Sequence, residues 1–183
     1  RHFFLAQYFR DAYETNLSKL PFVSSQVVIN RIEVWVTNKT RQTEEVREIV
    51  AFQDLGETSR IYNTGKIFSN GGTYPQNNAN NLYDIIRNSP NALDFRDPSR
   101  CISFLESNGF QAVDDYEKTS ARKLAPTEFY FHPQLGYLSL NQQLRPDEVL
   151  GVAIQYTVNG QVFQMGEFAT DLPPLADTTK TKD

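Results

Sequence analysis

The dipeptide Asn159-Gly160 constrains the fold of this chain more than any other short feature. It lies within residues 147–171, which read DEVLGVAIQYTVNGQVFQMGEFATD. Asn-Gly favours a type I′ turn, because both central residues of that turn need positive φ, and such a turn joins two antiparallel strands. Folding about it predicts four cross-strand pairs: Val158 with Gln161, Tyr156 with Phe163, Ile154 with Met165, and Val152 with Glu167.

The predicted hairpin has one apolar face and one mixed face. Alternation along the strands places the larger apolar side chains on the first face: Leu150, Val152, Ile154, Tyr156, Val158, Phe163 and Met165. The second face receives smaller or polar residues: Gly151, Ala153, Gln155, Thr157, Val162 and Gln164. A sheet whose faces differ in this way packs its apolar side on a core.

Length and charge bound what the chain can be. Its 183 residues suit one soluble domain, which we assign to 1–176, with a polar tail over 177–183 that we expect to be frayed. The net charge is −4 and basic residues do not cluster, which argues against nucleic acid as a partner. The chain begins at Arg1 and ends in a polar run, so we expect a piece of a longer polypeptide.

Residues 3–18 are predicted to form a helix that ends before Pro21. Its apolar side chains recur at the spacing of one helix face: Leu5, Tyr8, Phe9, Ala12 and Tyr13. An aromatic stripe of this kind either docks on a partner or packs on the sheet of its own domain. We prefer packing on the sheet, because surface helices usually bury their apolar face in their own core.

Two β-branched segments follow. The first, 26–38, is predicted to place Val28, Ile32, Val34 and Val36 on one face and Ile29, Arg31, Glu33 and Trp35 on the other. Arg31 and Glu33 lie two residues apart on the second face, where they are placed to form an ion pair. The second segment, 47–55, is apolar on both faces, which predicts either a central strand or a sheet covered on both sides, and we expect it to run antiparallel to the first.

Residues 58–110 are predicted to be an insertion made of a long loop and two helices. Leu82, Ile85 and Ile86 mark a short helix. Asp97 as N-cap and Pro98 at the first helical position begin the second, which Gly109 ends. Further strands are predicted at 110–118, 127–132 and 137–141. The fold class is therefore α+β: an antiparallel sheet or sandwich-like domain with an N-terminal helix packed on it.

Catalytic and metal-binding residue types are scarce. The chain has two histidines, His2 and His132, and one cysteine, Cys101, which we interpret as a small core residue. The carboxylate pairs Asp114-Asp115 and Asp147-Glu148 are adjacent in sequence, so on a strand they point to opposite faces and do not share an acid–base site. We predict no enzyme, no cofactor and no metal site.

Aromatic side chains are the remaining candidates for contact with a partner or a glycan. Trp35, Tyr74 and Tyr130, together with Tyr137, have the ring surface on which a sugar stacks. The preferred interpretation places most of them in the core, since large aromatics dominate protein interiors.

Four blocks of sequence resemble a known family. They read YFRDAYETNLSKLPF, INRIEVWVTN, REIVAFQDLGE and YLSLNQQLRPDEVLGVAIQYTVNGQVFQMGEF, and they lie within residues 3–57 and 136–171. In this order and together they resemble the SprA/Sov family, the very large outer-membrane translocons of type IX secretion in Bacteroidetes, which also serve gliding motility. The insertion 58–110 carries no part of the resemblance.

The resemblance implies a structural function without catalysis. In that family a giant β-barrel passes folded cargo with a C-terminal sorting domain, and water-facing modules are inserted between its strands. The chain is then expected at the cell outer membrane, facing the periplasm or the cell exterior. Its expected partners are other parts of the parent barrel, a smaller barrel protein, a periplasmic plug and transiting cargo. The alternative is a cell-surface carbohydrate-binding β-domain.

Overall fold

The part of the chain that the computed structural model describes comprises residues 1–37, 46–53, 56–67, 73–92 and 94–171. The strands are β1 (His2–Phe4), β2 (Val27–Thr37), β3 (Val46–Phe52), β4 (Tyr116–Lys123), β5 (Phe129–His132), β6 (Tyr137–Leu140), β7 (Leu150–Val158) and β8 (Gln161–Met165). The helices are α1 (Gln7–Asn16), α2 (Leu82–Arg87) and α3 (Pro98–Ser107). The strands form two antiparallel sheets, in the orders β3-β4-β2-β7-β8 and β1-β6-β5, which confirms the α+β class.

The hairpin around Asn159-Gly160 is confirmed. Both turn residues have positive φ, 51° and 82°, as a type I′ turn requires. Three of the four predicted pairs form: Val158 with Gln161, Tyr156 with Phe163, and Ile154 with Met165. The predicted pairing of Val152 with Glu167 is wrong, because β8 ends at Met165 and Gly166 turns the chain with a φ of 80°.

Strand β2 changes face in its middle. Ile29 lies opposite Tyr156 and Arg31 lies opposite Gln155, so Asn30 is an extra residue that forms a β-bulge. The bulge reverses the alternation. Ile29 is therefore buried in the core and Val28 is 42% exposed, and the predicted faces of these two residues were wrong. Beyond the bulge the prediction holds, because the core includes Val34 with Ile32 and Val36 packed against it.

Strand β3 is not central and does not pair with β2. It pairs along its length with β4, and β4 in turn pairs with β2 between Trp35 and Thr37. The predicted β2–β3 neighbourhood was therefore wrong. Strand β4 also begins at Tyr116, six residues after the predicted start, because residues 111–115 form a turn. Its polar sequence, YEKTSARK, has little intrinsic preference for a strand. It forms one because β2 and β3 pair with it on its two sides.

The first residues are a strand, where a helix was predicted. His2–Phe4 pair with β6, and α1 begins only at Gln7 and ends at Asn16, well before Pro21. Packing of the helix on its own domain is confirmed. Phe9 is 1% exposed and its ring meets Tyr156 edge-to-face at 6.0 Å.

Among the described residues, the apolar interior is divided into two clusters. The main core lies between the two sheets and α1, with Phe9, Val34, Leu138, Ile154 and Tyr156 among its buried members. The second cluster joins the insertion helices to β3 and β4 through buried side chains: Leu82, Cys101, Leu105, Phe110 and Tyr116. Both predicted insertion helices are present, and Asp97 caps α3 by accepting a 2.9 Å hydrogen bond from the Ser99 N–H.

Candidate functional site

The three aromatic side chains predicted as contact residues lie in different environments. Trp35 is 8% exposed and lies on the outer face of the five-stranded sheet, beside Lys123 of β4. Tyr74 packs its ring against Tyr8 and Phe163, at centroid distances of 5.3 and 5.2 Å. The structure therefore does not gather them into one stacking surface.

Tyr130 is the exposed member of this group. It lies on β5 of the smaller sheet, is 55% exposed, and has its ring centroid 6.3 Å from that of Tyr137 on β6. These two rings are the pair of predicted aromatics that the fold brings together. Their use as a contact surface stays a prediction.

Both histidines form hydrogen bonds that hold strands or turns together, and the cysteine packs in the core. His2 shares a 2.7 Å hydrogen bond with the Ser139 hydroxyl across β1 and β6. His132 Nδ1 accepts hydrogen bonds from the backbone N–H groups of Gln134 and Leu135 and so closes the β5–β6 turn. Cys101 is buried in the second cluster, as predicted, and burial raises the pKa of its thiol to about 11.

The adjacent carboxylate pairs also serve turns. Asp115 is 2% exposed, and its Oδ2 accepts a 2.8 Å hydrogen bond from the Gln111 N–H. Glu148 accepts one from the Arg145 N–H at the same distance. Among the described residues, His, Cys, Asp and Glu side chains form no group of three that is arranged to hold a metal ion.

Residues 166–171, which we call the strap, lie over the face of the five-stranded sheet that points away from the main core. A cluster of charged side chains lies between the strap and this outer face. The strap crosses this face with Phe168 buried to 1% exposure. The Arg31 guanidinium lies 4.2 Å above the Phe168 ring and donates two hydrogen bonds to Asp171, at 2.7 and 3.1 Å. The ion pair predicted between Arg31 and Glu33 is therefore wrong, since Arg31 pairs with a residue 140 positions away.

Glu33 is held beneath the strap. Its carboxylate is 5% exposed and accepts hydrogen bonds from the Lys123 ammonium at 2.8 Å and the Ala169 N–H at 3.0 Å. Burial alone raises the pKa of Glu33, but these hydrogen bonds and the Lys123 charge outweigh it and hold the pKa below its usual value. The cluster holds the strap on β2 through Arg31 and Glu33, and Lys123 joins Glu33 to β4.

A shallow cleft of about 350 Å³ opens at the N-terminal end of α1. The side chains around it come from β1, α1 and the segment after β3, and include Phe4, Arg10, Gln53, Glu57 and Tyr62. Both Glu57 carboxylate oxygens accept hydrogen bonds from the helix N-terminus, from Gln7 N–H at 2.9 Å and Tyr8 N–H at 2.8 Å. The lining residues include no Ser, Cys or His, so they supply no nucleophile activated by an imidazole.

Sequence reasoning missed both the strap and the Glu57 cap. Each joins residues that lie far apart in the chain: Glu57 is 49 positions from Tyr8, and Ala169 is 136 positions from Glu33. Local patterns describe neighbours within one helix or strand, so they contain no signal for either contact.

The chain matches no model of a known protein family, and it matches no curated protein. In the described part of the chain, no helix has both the length and the apolar character needed to cross a membrane.

Proposed function

We propose that this chain is a non-catalytic structural module of a giant outer-membrane translocon of type IX secretion, a system that also serves gliding motility. In this function it caps or lines the pore, or docks partner proteins. The proposal starts from the resemblance of four sequence blocks to the SprA/Sov family. It is supported by the way in which those blocks contact one another.

The observation that carries the proposal is that three of the four blocks meet in the main core and the third block is joined to them through Glu57. The first block supplies Phe9, whose ring meets Tyr156 of the last block. The second block forms most of β2, which pairs along β7. The third block ends in Glu57, whose carboxylate caps the helix of the first. Blocks that contact one another in this way are expected to occur together and in order, as they do in the resemblance.

The two helices of the insertion pack separately from this core, while its loop contacts the core through Tyr74, whose ring lies against Tyr8 and Phe163. The helices bury Leu82, Cys101 and Leu105 against β3 and β4 in the second cluster. Helices with their own cluster can differ between members of a family without disturbing the main core. This arrangement suits an insertion that the resemblance does not cover.

The proposal is tested by removing the module from its parent protein. Residues 1–171 are replaced in the parent gene by a short flexible linker, and a cargo protein with a C-terminal sorting domain is measured in the periplasm and in the medium. We expect cargo to accumulate in the periplasm, because a structural part of the pore is missing. The matched control carries Gln155→Asp alone, a substitution on the outer face of β7, and is expected to secrete normally.

The amount of parent protein in the outer membrane is measured in the same cells, and secretion is expressed per parent molecule. Normal secretion per molecule after the deletion would refute the proposal.

Tyr130, which is exposed and has its ring near that of the half-buried Tyr137, favours a second candidate, a carbohydrate-binding surface. Saturable binding of a glycan to the isolated chain by calorimetry, lost on Tyr130→Ala, would support that candidate instead.

A further inference from the structure

The two edges of the five-stranded sheet differ in charge. Edge strand β3 carries Arg47 and Glu48, both exposed, and Glu48 pairs with Lys118 at 3.2 Å. Edge strand β8 has the sequence QVFQM, with no charged residue and no proline. Charged side chains and proline on an edge prevent it from pairing with another chain, and β8 has neither.

The register of the hairpin decides which backbone groups of β8 face outward. Val158 and Gln161 flank the two-residue turn, so they form a hydrogen-bonded pair, and such pairs alternate along an antiparallel ladder. Gln161, Phe163 and Met165 therefore direct their N–H and C=O groups to β7. Val162 and Gln164 direct theirs to the open edge.

A neighbouring residue confirms this alternation. Gly166 has the same parity as Val162 and Gln164, and its N–H donates a 2.7 Å hydrogen bond to the Asn77 side chain, outside the ladder. Within the described part of the chain, no hydrogen bond reaches the backbone N–H or C=O of Val162 or Gln164. Among the described residues, the edge is thus capped at Gly166 and open at Val162 and Gln164.

We propose that β8 pairs with β8 of a second copy of this chain in antiparallel orientation, which joins the two five-stranded sheets into one. The two-fold axis passes beside Phe163, so that Val162 lies opposite Gln164 of the second copy. This register uses all the outward groups of both residues in both copies and forms four backbone hydrogen bonds. The inference goes beyond the proposed function and does not depend on it.

The side chains of β8 are self-complementary in this register. Phe163 lies opposite itself in a non-hydrogen-bonded pair, where the side chains of an antiparallel ladder approach most closely. Its ring already belongs to an aromatic group, stacked on Tyr156 at 5.4 Å and tilted against Tyr74 at 5.2 Å. Since β8 carries no charge, a second copy meets no like charge on the strand itself.

The contact is small, because each strand contributes five residues. Interfaces below about 1,200 Å² are typically weak, so we expect a dissociation constant of about 0.1 mM. Sedimentation equilibrium of the isolated chain, over concentrations from about ten times below to ten times above this value, should show a reversible monomer–dimer equilibrium.

Val162→Pro tests the register, because proline removes an outward N–H and leaves the β7–β8 ladder intact. We expect dimerisation to weaken at least tenfold, while Val162→Thr, which keeps the N–H, dimerises like the wild type. Gln164→Lys is the second variant, and it should have the same effect as proline because it places a charge on the edge. Thermal unfolding of each variant at low concentration checks that it is folded.

Hydrogen exchange gives an independent readout. The amides of Val162 and Gln164 should become protected as concentration rises, while that of Phe163, already bonded to β7, should not change. A chain that stays monomeric at the highest concentration would overturn the proposal. So would a dimer that both Val162→Pro and Gln164→Lys leave unaffected.

Discussion

Individual charged side chains hold the strap against the outer face of the main sheet. Glu33 was predicted to be placed for an ion pair with Arg31, yet it is buried and hydrogen-bonded to Lys123 and the strap. A buried carboxylate is costly unless its partners satisfy it, and here a cation and a backbone N–H do so. Arg31 does not pair with Glu33. It forms an ion pair with Asp171, and its guanidinium lies over the Phe168 ring.

This arrangement predicts a specific loss of stability in acid. The pKa values of Glu33 and Asp171 are both lowered in the folded chain. A group whose folded pKa lies below its unfolded pKa contributes stability that is fully present above the unfolded value and is lost as pH falls through the folded value. The free energy of unfolding should therefore fall as pH drops below about 4.5, the ordinary pKa of a glutamate.

Glu33→Gln isolates the contribution of one carboxylate. The variant cannot titrate at this position, so its Tm should lie below that of the wild type at pH 7 and approach it at pH 3. Glu14→Gln, at an exposed position of α1, is the control and should follow the wild type at both pH values. A wild-type advantage over Glu33→Gln that is the same at both pH values would contradict the assignment.

Turns set how the strands and α1 fit together. Gly136 and Gly160 both have positive φ, 63° and 82°, but their surroundings differ. A Cβ added at Gly136 would lie 2.1 Å from Cγ of Phe9, whereas one added at Gly160 meets nothing within 4 Å. The β5–β6 turn is thus pressed against the helix, and the hairpin turn is open to solvent.

Alanine at these two positions separates backbone strain from steric exclusion. Gly160→Ala should cost about 1 kcal/mol, since only the left-handed conformation opposes it. Gly136→Ala should cost about 3 kcal/mol or more, because Phe9 must also move within a packed core. Urea unfolding of the two variants measures the difference, and equal costs would show that the helix does not press on the β5–β6 turn.

The described part of the chain has two apolar clusters, and a short pairing between β4 and β2 lies between them. Strands β4 and β2 meet over three residue pairs, from Trp35 to Thr37 on β2, while the insertion helices contact β3 and β4. A substitution in the second cluster should therefore destabilise the insertion helices, β3 and β4 more strongly than it destabilises the β7–β8 hairpin. Regions with separate cores often open as separate units.

Leu105→Ala tests this division. Leu105 is fully buried in the second cluster, so its truncation should cost about 2–5 kcal/mol. Native-state hydrogen exchange should show faster opening of α2, α3, β3 and β4, with β7 much less affected. Equal acceleration of β7 would show that the two clusters unfold as one unit.

The sequence determined those features that depend on neighbouring residues. The Asn159-Gly160 turn, the register of its hairpin, the Asp97 cap of α3 and the apolar face of α1 all follow from turn chemistry and side-chain periodicity. These signals act over a few residues, so they can be recognised in the sequence without knowing the rest of the fold. The hairpin also identified Ile154 and Tyr156 as core residues, and both are fully buried.

Only the tertiary structure decided which distant segments meet. It placed β4 between β2 and β3, introduced the bulge at Asn30 that exchanged the faces of Val28 and Ile29, and brought Glu57 to α1 and the strap to Glu33. None of these has a local signature, because each is selected by the packing and hydrogen bonding of residues far apart in the chain. Sequence patterns specify what each segment prefers, and the shared core decides which partner satisfies it.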